Sequence, residues 1–384
     1  MERSLISTSQ AVALLKRRHR PRTPPQRADA SMSVENHTPF PALAFRQYNL
    51  AGDLLGVVVA RGTFKLSNGG PLQLDPVQRP LVMSDAYDGD PHQAPQTACT
   101  DLAPYKPGTD ITFLGATFSP GGAPTASWTC GLRVGSLEKR LRVYGPRLWK
   151  AETRKTWHGL IDREKEDTLD GWKLTQPEPV AYVPIDWRLA FGGRIKGGET
   201  IERNPVGRGL VDISLYREKP EWPAPQIEDE NHPIRDVRDR PLPAGLGPIS
   251  PFWQDRIERA GTYNESWLNE RHPLLPKDFD FLFWQAAPPY LRSATWLAGD
   301  EEFELDNLLL GRAKISGRLP KVSLNVSIDQ GTGLARGPMV LDGVHFDMRP
   351  NIGRVFLTWR TAFPWPKRKG LPKLTFSSPV QGAV

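Results

Sequence analysis

Alternation of apolar and polar positions is the clearest signal in this chain. Between Val57 and Leu66, the residues Val58, Ala60, Gly62, Phe64 and Leu66 fall on one side, and Val57, Val59, Arg61, Thr63 and Lys65 fall on the other. A period of two with β-branched enrichment predicts a strand. Asn68-Gly69 then supplies a hairpin turn, and Leu72 and Leu74 begin the return. Trp128, Cys130, Leu132 and Val134 alternate with Ser127, Thr129, Gly131 and Arg133. Beyond Gly135-Ser136, the residues Lys139, Leu141 and Val143 alternate with Arg140, Arg142 and Tyr144, which predicts a long hairpin with one buried face. Strands return near the C-terminal end. Val322, Leu324, Val326 and Ile328 form one series, Val344, Phe346 and Met348 alternate with His345 and Asp347, and Val355, Leu357 and Trp359 alternate with Phe356 and Thr358.

The stretch from Trp149 to Pro289 lacks such periodicity. Pro and Gly recur there, with short helices predicted at Trp253–Ala260 and Asp278–Ala286. Its frequent aromatics predict ordered loop rather than disorder. The fold expected is mainly β: an antiparallel β-sandwich, or two β-lobes (33–150 and 290–365) joined by a loop-rich, Pro/Gly-rich middle (150–289) with a few short helices. A single domain over 33–365 is expected. Residues 1–32 read as a disordered basic tail or a mis-assigned start, with Met32 as the natural one, and 366–384 as a basic C-terminal tail.

Composition supports the turn-rich reading: Gly 34 and Pro 38 make up roughly one residue in five. A net charge of +7 would suggest nucleic acid, but its distribution does not. Residues 1–31 hold seven Lys/Arg against two acids, and four Lys/Arg follow Trp365 with no acid, so 32–364 carries −2. The body is near neutral, and nucleic-acid binding is not expected. Cys99 and Cys130 lack zinc spacing and read as free thiols of a reducing cytoplasm. No apolar run approaches a membrane span, and no segment has the order of a secretory signal.

The motifs of common chemistries are missing. There is no Gly-Lys dipeptide and hence no Walker loop. Gly207-Arg208-Gly209 and Gly331-Thr332-Gly333 lack the third glycine of a dinucleotide loop. No G-x-S-x-G elbow or H-E-x-x-H helix occurs, and the seven histidines are scattered. No catalytic residue, metal ligand or cofactor is therefore assigned. The best catalytic alternative uses carboxylates: Asp300 and Glu301, or Asp255 and Glu258 on one helix face, as acid and base on a sugar, with Trp residues as stacking platforms. The simpler assignment pairs these acids with Arg256, Arg259 and Arg292 and places the Trp residues in cores. Arg147 reads as an arginine whose stem packs on an indole and whose head caps loop carbonyls rather than as a phosphate ligand. Gly261 to Trp267 reads as a turn anchored by Tyr263 and Trp267 rather than a carbohydrate contact.

Several motifs follow one another in order: Asn36-His37-Thr38-Pro39-Phe40, Asp101-Leu102, Lys106-Pro107-Gly108-Thr109-Asp110, Ala190-Phe191-Gly192-Gly193, Asn204-Pro205-Val206-Gly207-Arg208-Gly209 and Pro243-Ala244-Gly245-Leu246-Gly247-Pro248-Ile249. Trp253-Gln254-Asp255-Arg256, Gly261-Thr262-Tyr263, Leu275-Pro276-Lys277-Asp278-Phe279-Asp280, Gly299-Asp300-Glu301 and Leu357-Thr358-Trp359-Arg360 continue the series. Together they resemble a bacterial domain-of-unknown-function family found in type VI secretion gene clusters, over about 33–365. The family's G-D-R-x-W stands here as Gly145-Pro146-Arg147-Leu148-Trp149, and its G-T-Y-D ends in Asn264, which speaks against fixed acidic roles at those positions. The resemblance implies a cytoplasmic, non-enzymatic adaptor or chaperone without a cofactor. Its implied partners are an effector toxin and a spike protein of the VgrG or PAAR type. A carbohydrate-active hydrolase or cell-wall-binding module, and a structural component of the secretion machine, are the alternatives. The loop-rich middle is the expected contact surface, with Trp222 and Trp267 as candidate protein-binding anchors.

Overall fold

The computed structural model describes residues 34–67, 69–157, 165–329, 334–365 and 373–377. Its centre is a six-stranded sheet. The strand Leu54–Lys65 lies between Ala42–Tyr48 and Arg354–Pro364, followed by Val340–Asp347 and Asp110–Leu114, and the short return Gln73–Leu74 also pairs with it. All pairings are antiparallel except that of Asp110–Leu114 with Val340–Asp347. A second, five-stranded sheet runs Ile227–Asp229, Leu137–Tyr144, Ser127–Val134, Glu302–Leu309 and Arg312–Arg318.

The predicted apolar series build the space between the sheets. Val58, Ala60 and Phe64 share a face with Val355, Leu357, Trp359, Val344 and Phe346, and Trp128, Cys130, Leu132, Val134, Leu141 and Val143 belong to the same buried core. Phe303 of the second sheet meets Phe346 of the first at 5.4 Å between ring centroids. Each such side chain contributes roughly 1.5–3 kcal/mol on burial. Gly62 is required by this packing, because a Cβ there would lie 2.6 Å from the Phe64 ring and 2.9 Å from that of Phe40.

The strands do not segregate into an N-terminal and a C-terminal lobe. Leu54–Lys65 pairs with Arg354–Pro364 along its length, and the five-stranded sheet draws on residues before 150, within the middle and after 290. The middle also holds more strand than its sequence predicts, including Leu148–Trp157 and Lys165–Leu174. The predicted helices are shorter: an α-helix spans Gln254–Ile257 and a 3-10 turn spans Phe281–Trp284. Gly261 at φ +77 turns the chain after the first, and Phe279, Phe281, Phe283 and Trp284 pack on one another instead of along one helix face. Within the expected C-terminal tail, Lys373–Ser377 is a strand between Val34–Asn36 and Asn325–Asp329. Residues 1–33 lie outside the described residues. Both cysteines are free, and no described helix is long and apolar enough to cross a membrane.

The other face of the central sheet is polar and nevertheless buried. Arg61, Thr63, Asp110, Thr112, Asp342, Asp347, Thr358 and Arg360 are all at most 9% exposed. Residues of the 75–110 segment cover it. Arg61 Nη1 donates to Asp101 Oδ2 at 2.9 Å, and the Val82 N–H donates to the same oxygen at 2.7 Å. Arg360 donates to Asp342 at 2.6 Å and to the carbonyls of Asp101 and Ala103. Lys106 donates to Asp110 at 2.9 Å, and Asp110 accepts in addition from the backbone N–H groups of Ala286 and Ala287. Desolvation pushes the Asp342 carboxyl up, and Arg360 and Lys106 oppose it. Desolvation disfavours the charged Lys106, but Asp110 and Asp342 outweigh it and hold the ammonium above its ordinary value.

Two predictions follow from this layer. Arg360→Met strands the buried Asp342 and lowers unfolding free energy by about 3–5 kcal/mol in urea titrations. Adding Asp342→Leu recovers part of that loss. The recovery is incomplete because two carbonyls still lack a donor. Equal losses in the single and double variants would show that the ion pair is not the stabilising unit. The second prediction concerns acid. Burial raises the Asp347 carboxyl, but the paired bonds from Arg349 at 2.8 and 2.6 Å, with His345 nearby, outweigh it and bring the pKa to about 2. A depressed folded pKa stabilises above the unfolded value of about 3.9 and loses that contribution as pH falls from there through about 2. Asp347→Asn therefore removes on the order of 2 kcal/mol of acid-dependent stability in that window. An unchanged acid-unfolding curve for the variant would refute this.

Candidate functional site

The acids proposed for sugar chemistry do not converge. Asp300 is bonded to Lys321 at 2.9 Å, and that contact holds its carboxyl below the ordinary range. Glu301 accepts from the backbone N–H groups of Ala298 and Gly299 at 2.7 and 2.9 Å, which fixes the loop before Glu302–Leu309. Asp255 pairs with Arg203, and Glu258 is exposed. The arginines expected beside these acids are used elsewhere. Arg256 donates to the carbonyls of Phe283 and Ile249, Arg259 pairs with Asp280, and Arg292 donates to the Gln285 and Ala287 carbonyls. Among the described residues, no group of three His, Cys, Asp or Glu is placed to hold a metal ion. Burial pushes the thiols of Cys99 and Cys130 up to about 12, so both are neutral at physiological pH.

Arg147 is buried. Its Nε donates to the Pro225 carbonyl at 2.9 Å, its Nη2 pairs with Glu228, and its guanidinium stacks 3.6 Å from the Tyr144 ring centroid, not on an indole. Glu228 is raised by burial, with Arg147 opposing the shift. The loop from Gly261 is held from within. Trp267 donates to the Leu274 carbonyl at 2.9 Å, and its ring meets those of Tyr263 at 4.7 Å and His272 at 5.3 Å. Trp267 is thus a partly buried loop anchor.

Trp222 sits where the body meets a two-stranded ribbon. Glu221–Pro223 pairs with the first residues of Leu148–Trp157, which places Trp222 opposite Trp149. Trp149, Phe191, Val211 and Ala224 form a small core there, with Trp172, Leu174 and Trp222 packed against it. Lys219 caps the Trp222 ring at 3.5 Å from its centroid. The two strands pair from Trp149 opposite Leu174 to Trp157 opposite Lys165, and from Glu152 onward no other described strand pairs with the ribbon. The residues Glu152–Lys155 are exposed, and surface pairs such as Arg154 with Asp170 at 3.5 Å cross between the strands. No other strand among the described residues pairs with Lys165–Leu174. A row of backbone donors and acceptors is therefore left open along one side.

A second candidate place is a cavity of about 320 Å³ over the polar face of the central sheet. It is lined by Arg61, Lys106, Thr112, His345 and Asp347 from the layer described above, with Arg79 and Cys99 from the covering segment. Sequence alternation sets His345 and Asp347 apart from Val344 and Phe346 but carries no sign that a cover closes over them.

A family model described as an uncharacterized protein conserved in bacteria (DUF2169) matches residues 51–360. No curated protein matches the chain. No solved structure matches it either. The matched range contains both large sheets apart from the outer strand Ala42–Tyr48 and the last residues of Arg354–Pro364, together with the covering segment and the whole ribbon, so the chain belongs to the DUF2169 family of bacterial proteins.

Proposed function

We propose that this chain is a binding adaptor of the type VI secretion system, which holds an effector toxin in the cytoplasm and assists its loading onto the VgrG/PAAR spike. The observation that carries the proposal is the open edge of Lys165–Leu174 on a ribbon fixed at its base by Trp149, Trp172 and Trp222. An edge of this kind accepts an extended segment of another chain through main-chain hydrogen bonds, with side chains along the ribbon setting the choice of partner. The rigid base lowers the entropy lost on binding. The motif series from Asn36 to Arg360 supplies the link to secretion gene clusters. The adaptor reading is also favoured over a glycan hydrolase by the use of the acids. A general acid needs a raised pKa, whereas Lys321 lowers that of Asp300, and both oxygens of Glu301 accept from backbone groups.

The test is co-expression with each toxin and spike protein encoded beside the gene. The intact chain is expected to co-purify with one of them. A variant in which residues 152–171 are replaced by a two-residue Asn-Gly turn, which keeps Trp172 at the base, should keep the thermal unfolding of the body and bind at least ~10-fold more weakly, about 1.4 kcal/mol. Failure of every neighbouring toxin and spike protein to co-purify with the intact chain would overturn the adaptor. Full affinity in the shortened variant would overturn the ribbon as its surface.

A further inference from the structure

The cavity over the polar face has an imbalance between its acids and its cations. Its three carboxylates each accept at least two hydrogen bonds from within. Asp101 accepts from Arg61 and the Val82 N–H, Asp110 from Lys106 and two backbone N–H groups, and Asp347 from Arg349 through both oxygens. The cations are not. Arg61, nine-tenths buried, places only Nη1 on Asp101, and its Nε has no hydrogen-bond partner. Lys106 bonds Asp110 alone and keeps two further N–H groups. Arg79 stands exposed at the rim with no side-chain partner among the described residues. His345 engages Thr112 through Nδ1 at 2.8 Å, while its Nε2 is 3.7 Å from Asp347, too far for a hydrogen bond. The Phe356 ring lies beside both the Arg61 guanidinium, 4.3 Å from its centroid, and the His345 ring at 6.1 Å, which fixes the two side chains in place.

We propose that this cavity binds a small phosphorylated molecule, with the phosphoryl group taken by Arg61, Arg79 and Lys106. Three separate donor groups suit three phosphoryl oxygens better than the two oxygens of a carboxylate. A volume of about 320 Å³ exceeds that of the phosphoryl group, and Leu81, Val82 and Ile352 supply an apolar wall for an organic part. None of the lining residues belongs to the ribbon, so the cavity and the open edge are separate places on the molecule.

The test uses the full chain with inorganic phosphate and phosphoserine as probes, followed by phosphorus NMR and thermal shift, with acetate and chloride at matched ionic strength. Saturable binding of both phosphates and none of acetate is expected. Arg79→Ala should leave the unliganded melting temperature unchanged, because the side chain is exposed and unpaired, and weaken phosphate binding about tenfold. Arg154→Ala on the ribbon removes the same charge elsewhere and should leave binding unaltered. Equal saturation by acetate, a shift that merely follows ionic strength, or equal affinity in wild type and Arg79→Ala would overturn the proposal.

Discussion

Burial of the central strand Leu54–Lys65 on both faces is the constraint from which the rest of the architecture follows. A strand in that position needs a cover on each side. On one side the cover is the five-stranded sheet, and ordinary apolar packing closes the gap. On the other side the strand presents Arg61 and Thr63, and its neighbour presents Thr358 and Arg360. Guanidinium groups cannot be buried without partners except at a cost of several kcal/mol each. The covering segment must therefore bring carboxylates and carbonyls, and it does so with Asp101 and Ala103. This layer makes the cover specific: a segment of similar hydrophobicity without Asp101 could not replace it.

The same logic separates the body from the ribbon. In the body, strands from opposite ends of the chain share sheets, so no part can leave without exposing the common core. The ribbon rests on a few aromatics at its base and on exposed ion pairs worth little in water. Its removal should cost the body little. Such a division suits a protein whose scaffold must persist while one surface adapts to another chain.

Strand positions were legible because each has one strictly apolar face: the hairpin from Ser127 to Tyr144 appears where its alternation places it. Pairing was not legible, because nothing local in Val355–Trp359 indicates that its neighbour is Val57–Phe64. The ribbon escaped detection for the opposite reason. Its strands are solvated along much of their length, so Lys150, Glu152 and Arg154 alternate with residues that are not uniformly apolar. The short helices were over-extended because apolar spacing near Phe279 fits a helix as well as an aromatic cluster. Arg147 illustrates a half-correct inference, with a carbonyl cap as expected but stacking on tyrosine rather than tryptophan.

The candidate sites were less legible than the fold for a more general reason. Alternation tells which residues share a face, and Arg61 with Thr63, or His345 with Asp347, look like the solvent side of their strands. Whether that side is wet depends on what the rest of the chain lays over it, and the covering segment carries almost no periodic signal. Once it is in place, the same residues change character. Polar groups that would be hydrated on an open sheet become fixed donors and acceptors in a confined space of low dielectric, where an unmet donor counts for more. An open edge follows the reverse course: the backbone of Lys165–Leu174 is ordinary in sequence, and becomes distinctive only because no described strand of the body lies beside it. Both features arise from pairings made far along the chain, so they are written in topology more than in motif.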